Sequence, residues 1–379
     1  MGPFSPRALN DYIPELVSES LPGTGGTCLV NLVRARLARE MPTDVITCDT
    51  QSAEPIRLWH DKNGLLKLWV VRRRKRHALR DLYLKERRLI QKALAESRAS
   101  VCHANWTYEY ALAALTQDRL PCVVSVHDHA GHILRMSEPR YLVHYLITQW
   151  VFRKAGYLSA VSPYAASYVS RKTGKQIPAI PNILPDIVHD AGSSPCNHTA
   201  IVSVGNWSAL KNLKRALRAF HFIKPSCPDA KLKLIGPGLE VKGKADLWAR
   251  ARNLHTDVNF MGKLPYPHVL SHISTASALL HPSLEESFGC PVAEAMMLNV
   301  PVIAAREADG CRWLLQDGKA GTLVSGRSCR QMADAILANL QERKDVTCMV
   351  NTAKERVHQL CNAEHVLAQY DQLYQKALS

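Results

Sequence analysis

The chain has 379 residues, 46% of them hydrophobic, and a formal net charge of +15. That length holds material for two cores, and the apolar content excludes a disordered chain. No apolar run approaches the roughly 18 residues that a membrane span needs, and the opening "MGPFSPRALNDYIPELVSES" lacks the basic start and apolar core of a signal peptide.

The eleven cysteines include no C-x-x-C pair. This argues against a disulfide framework and a cysteine zinc site, and fits a reducing, cytoplasmic setting. The histidines of "HDHAGH" (127–132) have no second ligand cluster to join, so no metal site is expected.

In chain order, a helix is expected over 29–38 and a strand over 44–50. From Lys67 to Lys92, eleven Lys/Arg face only Asp81 and Glu86, a net of +9 (11 − 2), and the run centres on Arg72, Arg73, Arg74, Lys75 and Arg76. Leu79, Leu82, Tyr83, Ile90, Ala93 and Leu94 repeat at helical spacing, so an amphipathic helix with a basic outer face is expected from 79 onward. A solvated charged helix is the plain alternative. The sharper expectation is that Arg72–Arg76 contact an anionic membrane surface. No nucleic-acid motif accompanies the charge, so no nucleic-acid partner is expected.

Strands follow at 99–104, 122–128 and 156–162, separated by helices at 108–116 and 141–154. Residues 175–186 read as extended and 189–198 as a linker. A second series places strands at 200–206, 231–238, 258–264, 276–283, 300–305 and 320–324, and a last helix at 363–378. This alternation predicts an α/β architecture with parallel sheets in two doubly wound domains facing a cleft. Residues 1–187 and 188–362 form the domains, with 363–379 a helix crossing back to the first.

The stretch "EESFGCPVAEA" (285–295) sets Glu286 and Glu294 eight positions apart. The flanks read as strand–loop–helix–strand. Glu286 is expected on the loop and Glu294 in the first turn of the helix, at the strand ends where open α/β sheets bind ligands. An idle acidic first turn favoured by the helix dipole is the alternative.

These residues resemble the retaining glycosyltransferases of family 4, which have the GT-B fold of two Rossmann-like domains. Their signature, of the form E-x-F-G-x-P-x-x-E-A, is met by Glu286, Phe288, Gly289, Pro291, Glu294 and Ala295. Five more stretches match in order: "VSVHD", "SAVSPY", "AIPNI", "VGNWSALKN" and "DGKAGTLV". The resemblance implies a metal-independent enzyme that moves a sugar from a nucleotide-diphospho-sugar to a glycan or lipid-linked acceptor. Retention of configuration, a place in surface polysaccharide or lipopolysaccharide synthesis, and a peripheral position at the inner membrane face are implied with it. No cofactor beyond the donor is implied. His127, Lys211 and Glu286 take the catalytic positions. Gly25, Gly26, Gly205, Asn206, Lys211, Gly236, Met261, Phe288, Gly289, Cys290 and Glu294 take donor-binding ones, with Glu286 near the sugar and Glu294 on the ribose. The chain departs from the pattern at Asn206, where the family often has arginine, at Trp313, where it often has glutamate, and before Gly25, where its first strand is short and poorly patterned. Arg215 is a candidate for the missing charge. A non-catalytic relative that binds a glycan, nucleotide or protein is the alternative.

Overall fold

Short runs of aliphatic residues alternate with amphipathic segments throughout. In the computed structural model they fold as parallel strands and covering helices. Residues 1–23, 25–136, 141–185, 197–341 and 343–379 are described; most of the expected linker lies outside them. The chain divides into two compact units, Met1–Leu134 and Glu138–Pro185 with Cys361–Ser379, and Arg135–Ser137 with Asp186–Leu360. No helix among the described residues is long and apolar enough to cross a membrane.

The first half runs α1 (Thr27–Ala38), β1 (Thr43–Asp49), β2 (Ile56–His60), β3 (Leu66–Arg72), α2 (Leu84–Glu96), β4 (Cys102–Asn105), α3 (Glu109–Leu115), β5 (Cys122–Val126), α4 (Ala130–Met136), α5 (Tyr141–Lys154), β6 (Tyr157–Ala160) and α6 (Pro163–Thr173). Its strands form two sheets of three, ordered β1-β3-β2 and β4-β5-β6. The hairpin of β2 and β3 was hidden in the sequence, because "KLWVVR" opens the basic run and reads with it.

Among the described residues, no strand precedes the glycine loop. Pro6–Leu9 and Pro14–Val17 are short 3-10 helices, each opened by a proline that fixes φ and removes a ladder donor. The two sheets are instead spliced by the first residues. Gly2 donates to the carbonyl of Ile46 at 3.1 Å, and Asn105 donates to the carbonyl of Met1 at 2.9 Å. Beside this splice lies a cavity of about 350 Å³, lined by Leu29, Val33, Val45, Val101 and Tyr374 among others.

The basic segment also differs from expectation. Leu82 and Tyr83 take φ of 51° and 60°, so α2 starts only at Leu84. Arg73 pairs with buried Glu109 at 3.2 Å, and Arg74 with Asp81 at 2.7 Å and Glu86 at 2.6 Å. Glu86, which interrupts the apolar stripe, is 1% exposed. Arg73 and Arg74 are therefore internal counter-ions, and Arg72, Lys75 and Arg76 remain exposed.

The second half runs β7 (Asn197–Val204), α7 (Leu213–Ile223), β8 (Lys231–Ile235), α8 (Lys244–Arg250), β9 (Val258–Gly262), α9 (Tyr266–Ser274), β10 (Ala276–His281), α10 (Cys290–Met297), β11 (Val302–Ala305), α11 (Asp309–Leu314), β12 (Thr322–Val324), α12 (Cys329–Gln341) and α13 (Arg343–Cys361). Its sheet is ordered β12-β11-β10-β7-β8-β9, parallel throughout. The chain winds outward from β7 to β9, then returns to β10 and winds the other way. β7 and β10 are thus neighbours whose loops diverge, a topological switch point.

The last helix, α14 (Ala363–Leu378), packs in unit 1, where Tyr374 meets His103 Nδ1 at 2.8 Å and Tyr370 meets Ser125 at 3.2 Å.

Burial by itself would raise the Glu86 carboxyl, but the Arg74 hydrogen bonds outweigh it and hold it below the usual carboxylate range. Arg74→Ala leaves a buried charge uncompensated, at a cost of about 3 kcal/mol. A group with a depressed folded value stabilises above its unfolded value and loses that contribution as pH falls. The gap between parent and Arg74→Ala in urea unfolding is therefore expected to be full at neutral pH and to shrink below about pH 4.

Candidate active site

The end of β7 must let other backbone pass close, and glycines permit it. A Cβ on Gly236, which takes φ of 139°, would sit 1.8 Å from the Gly205 carbonyl oxygen, so the two backbones pass this close only because Gly236 has no side chain. Gly205 donates to Ile235, and Gly236 donates to Gly262, next to half-buried Met261. Asn206 follows, exposed and uncharged.

The loop then turns through Asn212, at φ of 56°, into α7. Asn212 Nδ2 donates to the carbonyls of Pro282 at 2.9 Å and Gly326 at 2.8 Å, tying three strand-end loops together. Leu284 donates to Leu210 at 2.9 Å. Arg215, the candidate for the missing charge, is turned to Asn212 Oδ1 at 2.9 Å.

This stitching brings Lys211, after β7, onto Glu286, after β10. Lys211 Nζ lies 2.5 Å from Glu286 Oε1, and His281 Nε2 lies 2.9 Å from the same oxygen. Among the described residues, Glu286 Oε2 accepts no hydrogen bond. Burial by itself would raise the Glu286 carboxyl, but Lys211 and His281 outweigh it and hold it well below the usual carboxylate range. Burial would likewise lower the Lys211 ammonium, yet Glu286 outweighs it and the net shift is upward. The pair is charged on both sides.

Glu286 is also fixed through its backbone. Gly310 donates to its carbonyl at 3.0 Å, and a Cβ on Gly310 would fall 2.5 Å from the Ser287 carbonyl oxygen. Phe288, buried, leans on Trp313 with ring centroids 6.3 Å apart. Trp313 therefore packs where the resemblance expects a charge. Gly289 at φ of 93° caps α10, whose first residue is Cys290.

Glu294 is in the second turn of α10, not the first, because the helix starts at Cys290. It is buried, and Tyr266 donates to its Oε1 at 3.0 Å. Burial pushes its carboxyl up to about 7, against the opposing hydrogen bond from Tyr266.

The remaining expected residues belong to unit 1. Gly26 caps α1 at φ of 84°, and a Cβ there would meet the Pro3 carbonyl oxygen at 1.7 Å. Gly25, at φ of 54°, is exposed with open space around it. His127 leaves β5, donates from Nε2 to Asn105 Oδ1 at 3.0 Å, and stacks on Trp106 at 4.0 Å. Burial pushes it down to about 3, so its ring is neutral. His281, Tyr266, Gly310 and Trp106 were not singled out from the sequence. For His281 a signal was present, in the "HPS" that ends the strand.

Residues 189–356 match the family model for glycosyl transferases group 1, and residues 23–182 match that for the glycosyl transferase 4-like domain. The N-acetyl-alpha-D-glucosaminyl L-malate synthase of Bacillus anthracis is 28% identical over 180 residues, 47% of this chain and 45% of that protein. The chain aligns with less than half the length of the curated relatives it matches. Among solved structures, a sucrose-phosphate synthase from Thermosynechococcus elongatus superposes with a TM-score of 0.76 at 19% identity, over 93% of this chain and 94% of that one. HepE of Anabaena, in complex with UDP and glucose, gives 0.68 at 16% identity, over 93% and 96%. At these identities the structures speak to the fold alone. One family model for each half, and solved neighbours spanning both, lead to one conclusion: the chain belongs to the group 1 glycosyl transferases of family 4 and has the GT-B fold.

Proposed function

We propose that this chain is a retaining glycosyltransferase that takes a sugar from a nucleotide-diphospho-sugar and passes it to a glycan or lipid-linked acceptor. The observation that carries the reading is the charged pair of Lys211 and Glu286 at the β7–β10 switch point, with His281 on the same carboxylate oxygen. In this reading Lys211 meets the diphosphate and stabilises charge that grows on it, without a metal. Glu286 Oε2 accepts from a sugar hydroxyl. Glu294 accepts from the ribose, for which a carboxylate has two oxygens.

Glu286 is held ionised, so it cannot deliver a proton as a general acid. The transferred sugar's C1–O bond to the diphosphate breaks, and the acceptor oxygen bonds to C1 on the same face. The acceptor proton passes to the leaving diphosphate, whose negative charge makes it the base. Configuration is retained without a carboxylate pair of the hydrolase type. HepE's complex with UDP and glucose, on the same fold, supports a nucleotide donor here.

A thermal-shift screen against UDP-, GDP-, ADP- and CDP-sugars tests the reading. A true donor stabilises by about 2.7 kcal/mol at a hundredfold excess over its dissociation constant. No shift with any of them would remove it. With the donor identified, Lys211→Ala is expected to lower turnover about a hundredfold. Near-parent turnover would place the diphosphate elsewhere.

Glu294 gives a prediction with opposite signs in stability and binding. Its folded value is raised to about 7, so the folded state holds the proton longer than the unfolded chain. Stability contributed by this group falls as pH rises from about 4 to 7 and stays low above. Glu294→Gln is therefore expected to raise the melting temperature at pH 8 and weaken nucleoside diphosphate binding in calorimetry. In the parent, that binding should strengthen as pH passes upward through 7.

For a membrane-held acceptor, the exposed Arg72, Lys75 and Arg76 are the cations left to meet acidic lipid. Each is worth about 1 kcal/mol near such a surface. Replacing these three by glutamine is expected to reduce flotation with acidic vesicles at low salt while leaving the melting temperature unchanged. Equal flotation of variant and parent would remove the membrane contact.

A further inference from the structure

His281 is the last residue of β10, in register with Ala304 of β11, and is 1% exposed. Its Nε2 lies 2.9 Å from Glu286 Oε1, and its Nδ1 is buried without a hydrogen-bond partner among the described residues. A carboxylate oxygen can only accept, so Nε2 carries the proton and donates. His281 is therefore a donor to Glu286, built into a central strand.

Lys211 is the other donor to that oxygen, and its situation is different. It stands on a loop, on a flexible four-carbon stem, with its side chain 26% exposed. A diphosphate brought to the site competes with Glu286 for its ammonium. As Lys211 turns to the phosphate, Glu286 loses its principal counter-charge while still half-buried. A carboxylate left in that state tends to take up a proton.

Resting on the transferase reading above, we propose that His281 is the positioning residue of the site: it holds Glu286 ionised and oriented when Lys211 is drawn to the donor diphosphate. The strand fixes the imidazole, the imidazole fixes Oε1, and Oε2 is left to the sugar. Division of labour between the two donors lets one ammonium serve the leaving group without disarming the carboxylate. Among the described residues, the thiols of Cys290 and Cys311 also act on Lys211, and Glu285 acts on Cys311. Burial raises the Cys311 thiol well above its ordinary value, which keeps it neutral.

The test compares His281→Met, which removes the donor at similar bulk, with His281→Gln, whose amide nitrogen can reach the place of Nε2. Losing a hydrogen bond to a charged group corresponds to about 10- to 100-fold. That loss is expected in kcat of His281→Met, with a much smaller change in the donor KM. Its acid limb should move to higher pH, because Glu286 protonates more readily. His281→Gln should restore both. A merely structural histidine would lower the melting temperature of both variants and leave the limb in place. Unchanged kcat in His281→Met, an unmoved limb, or failure of folded His281→Gln to rescue would each overturn the proposal.

A second readout does not need turnover. Carbon NMR of the Glu286 carboxyl, assigned through Glu286→Gln, is recorded with and without inorganic pyrophosphate as the probe that engages Lys211. Pyrophosphate should raise the titration midpoint more in His281→Met than in the parent or His281→Gln, and equal midpoints would overturn the proposal. If the parent transfers no sugar from any donor, the transferase reading fails, and these midpoints still decide the role of His281.

Discussion

A half-buried carboxylate is held ionised by neighbouring donors, and the loops after β7 and β10 bring those donors to Glu286. Without Lys211 and His281 its ionised form would carry a desolvation cost of several kcal/mol. The pair can form only if the loop after β7 and the loop after β10 approach each other. The sheet order supplies that approach by making β7 and β10 neighbours. Asn212 then locks the approach with two backbone carbonyls from different loops. Gly236 and Gly310 leave the space that these close backbones occupy. The polar site and the glycine pattern are two sides of one constraint.

The two glutamates of the signature share a motif but not an environment. Glu286 is surrounded by donors and stays ionised. Glu294, on α10, has one tyrosine hydroxyl and is otherwise buried, so its carboxyl is poised near neutrality. Placing two acids in different electrostatic settings is how one fold assigns them different work. Glu294 therefore lowers the stability of the folded protein as pH rises toward 7.

Unit 1 solves a different problem. Its positive charge is high, yet part of it is structural. Arg73 and Arg74 reach inward to Glu109 and Glu86, two acids that burial would otherwise penalise. Its sheets are joined by backbone from Met1 and Gly2 instead of a full strand, beside a cavity of about 350 Å³. α14 helps close this region through Tyr374 and His103, which connect a terminal helix to β4.

The sequence by itself determined the alternation of strand and helix, the α/β class and the signature around Glu286 and Glu294. These depend on local periodicity and on glycine and proline placement, which act over a few residues. It placed Lys211 by resemblance. It put Glu294 in the first turn and not the second because the helix starts one residue earlier than the proline, at Cys290 after Gly289 at positive φ. It overlooked β3 and treated Arg72–Arg76 as one patch, because a charge run does not say which cations have partners. Only the tertiary structure decided that Arg73 and Arg74 face inward, that Trp313 packs on Phe288, and that His281 shares an oxygen with Lys211. Each of these depends on residues far apart in the chain, or on which way one strand-end side chain turns. Burial and pairing are set by the packed neighbours, and no local pattern encodes them.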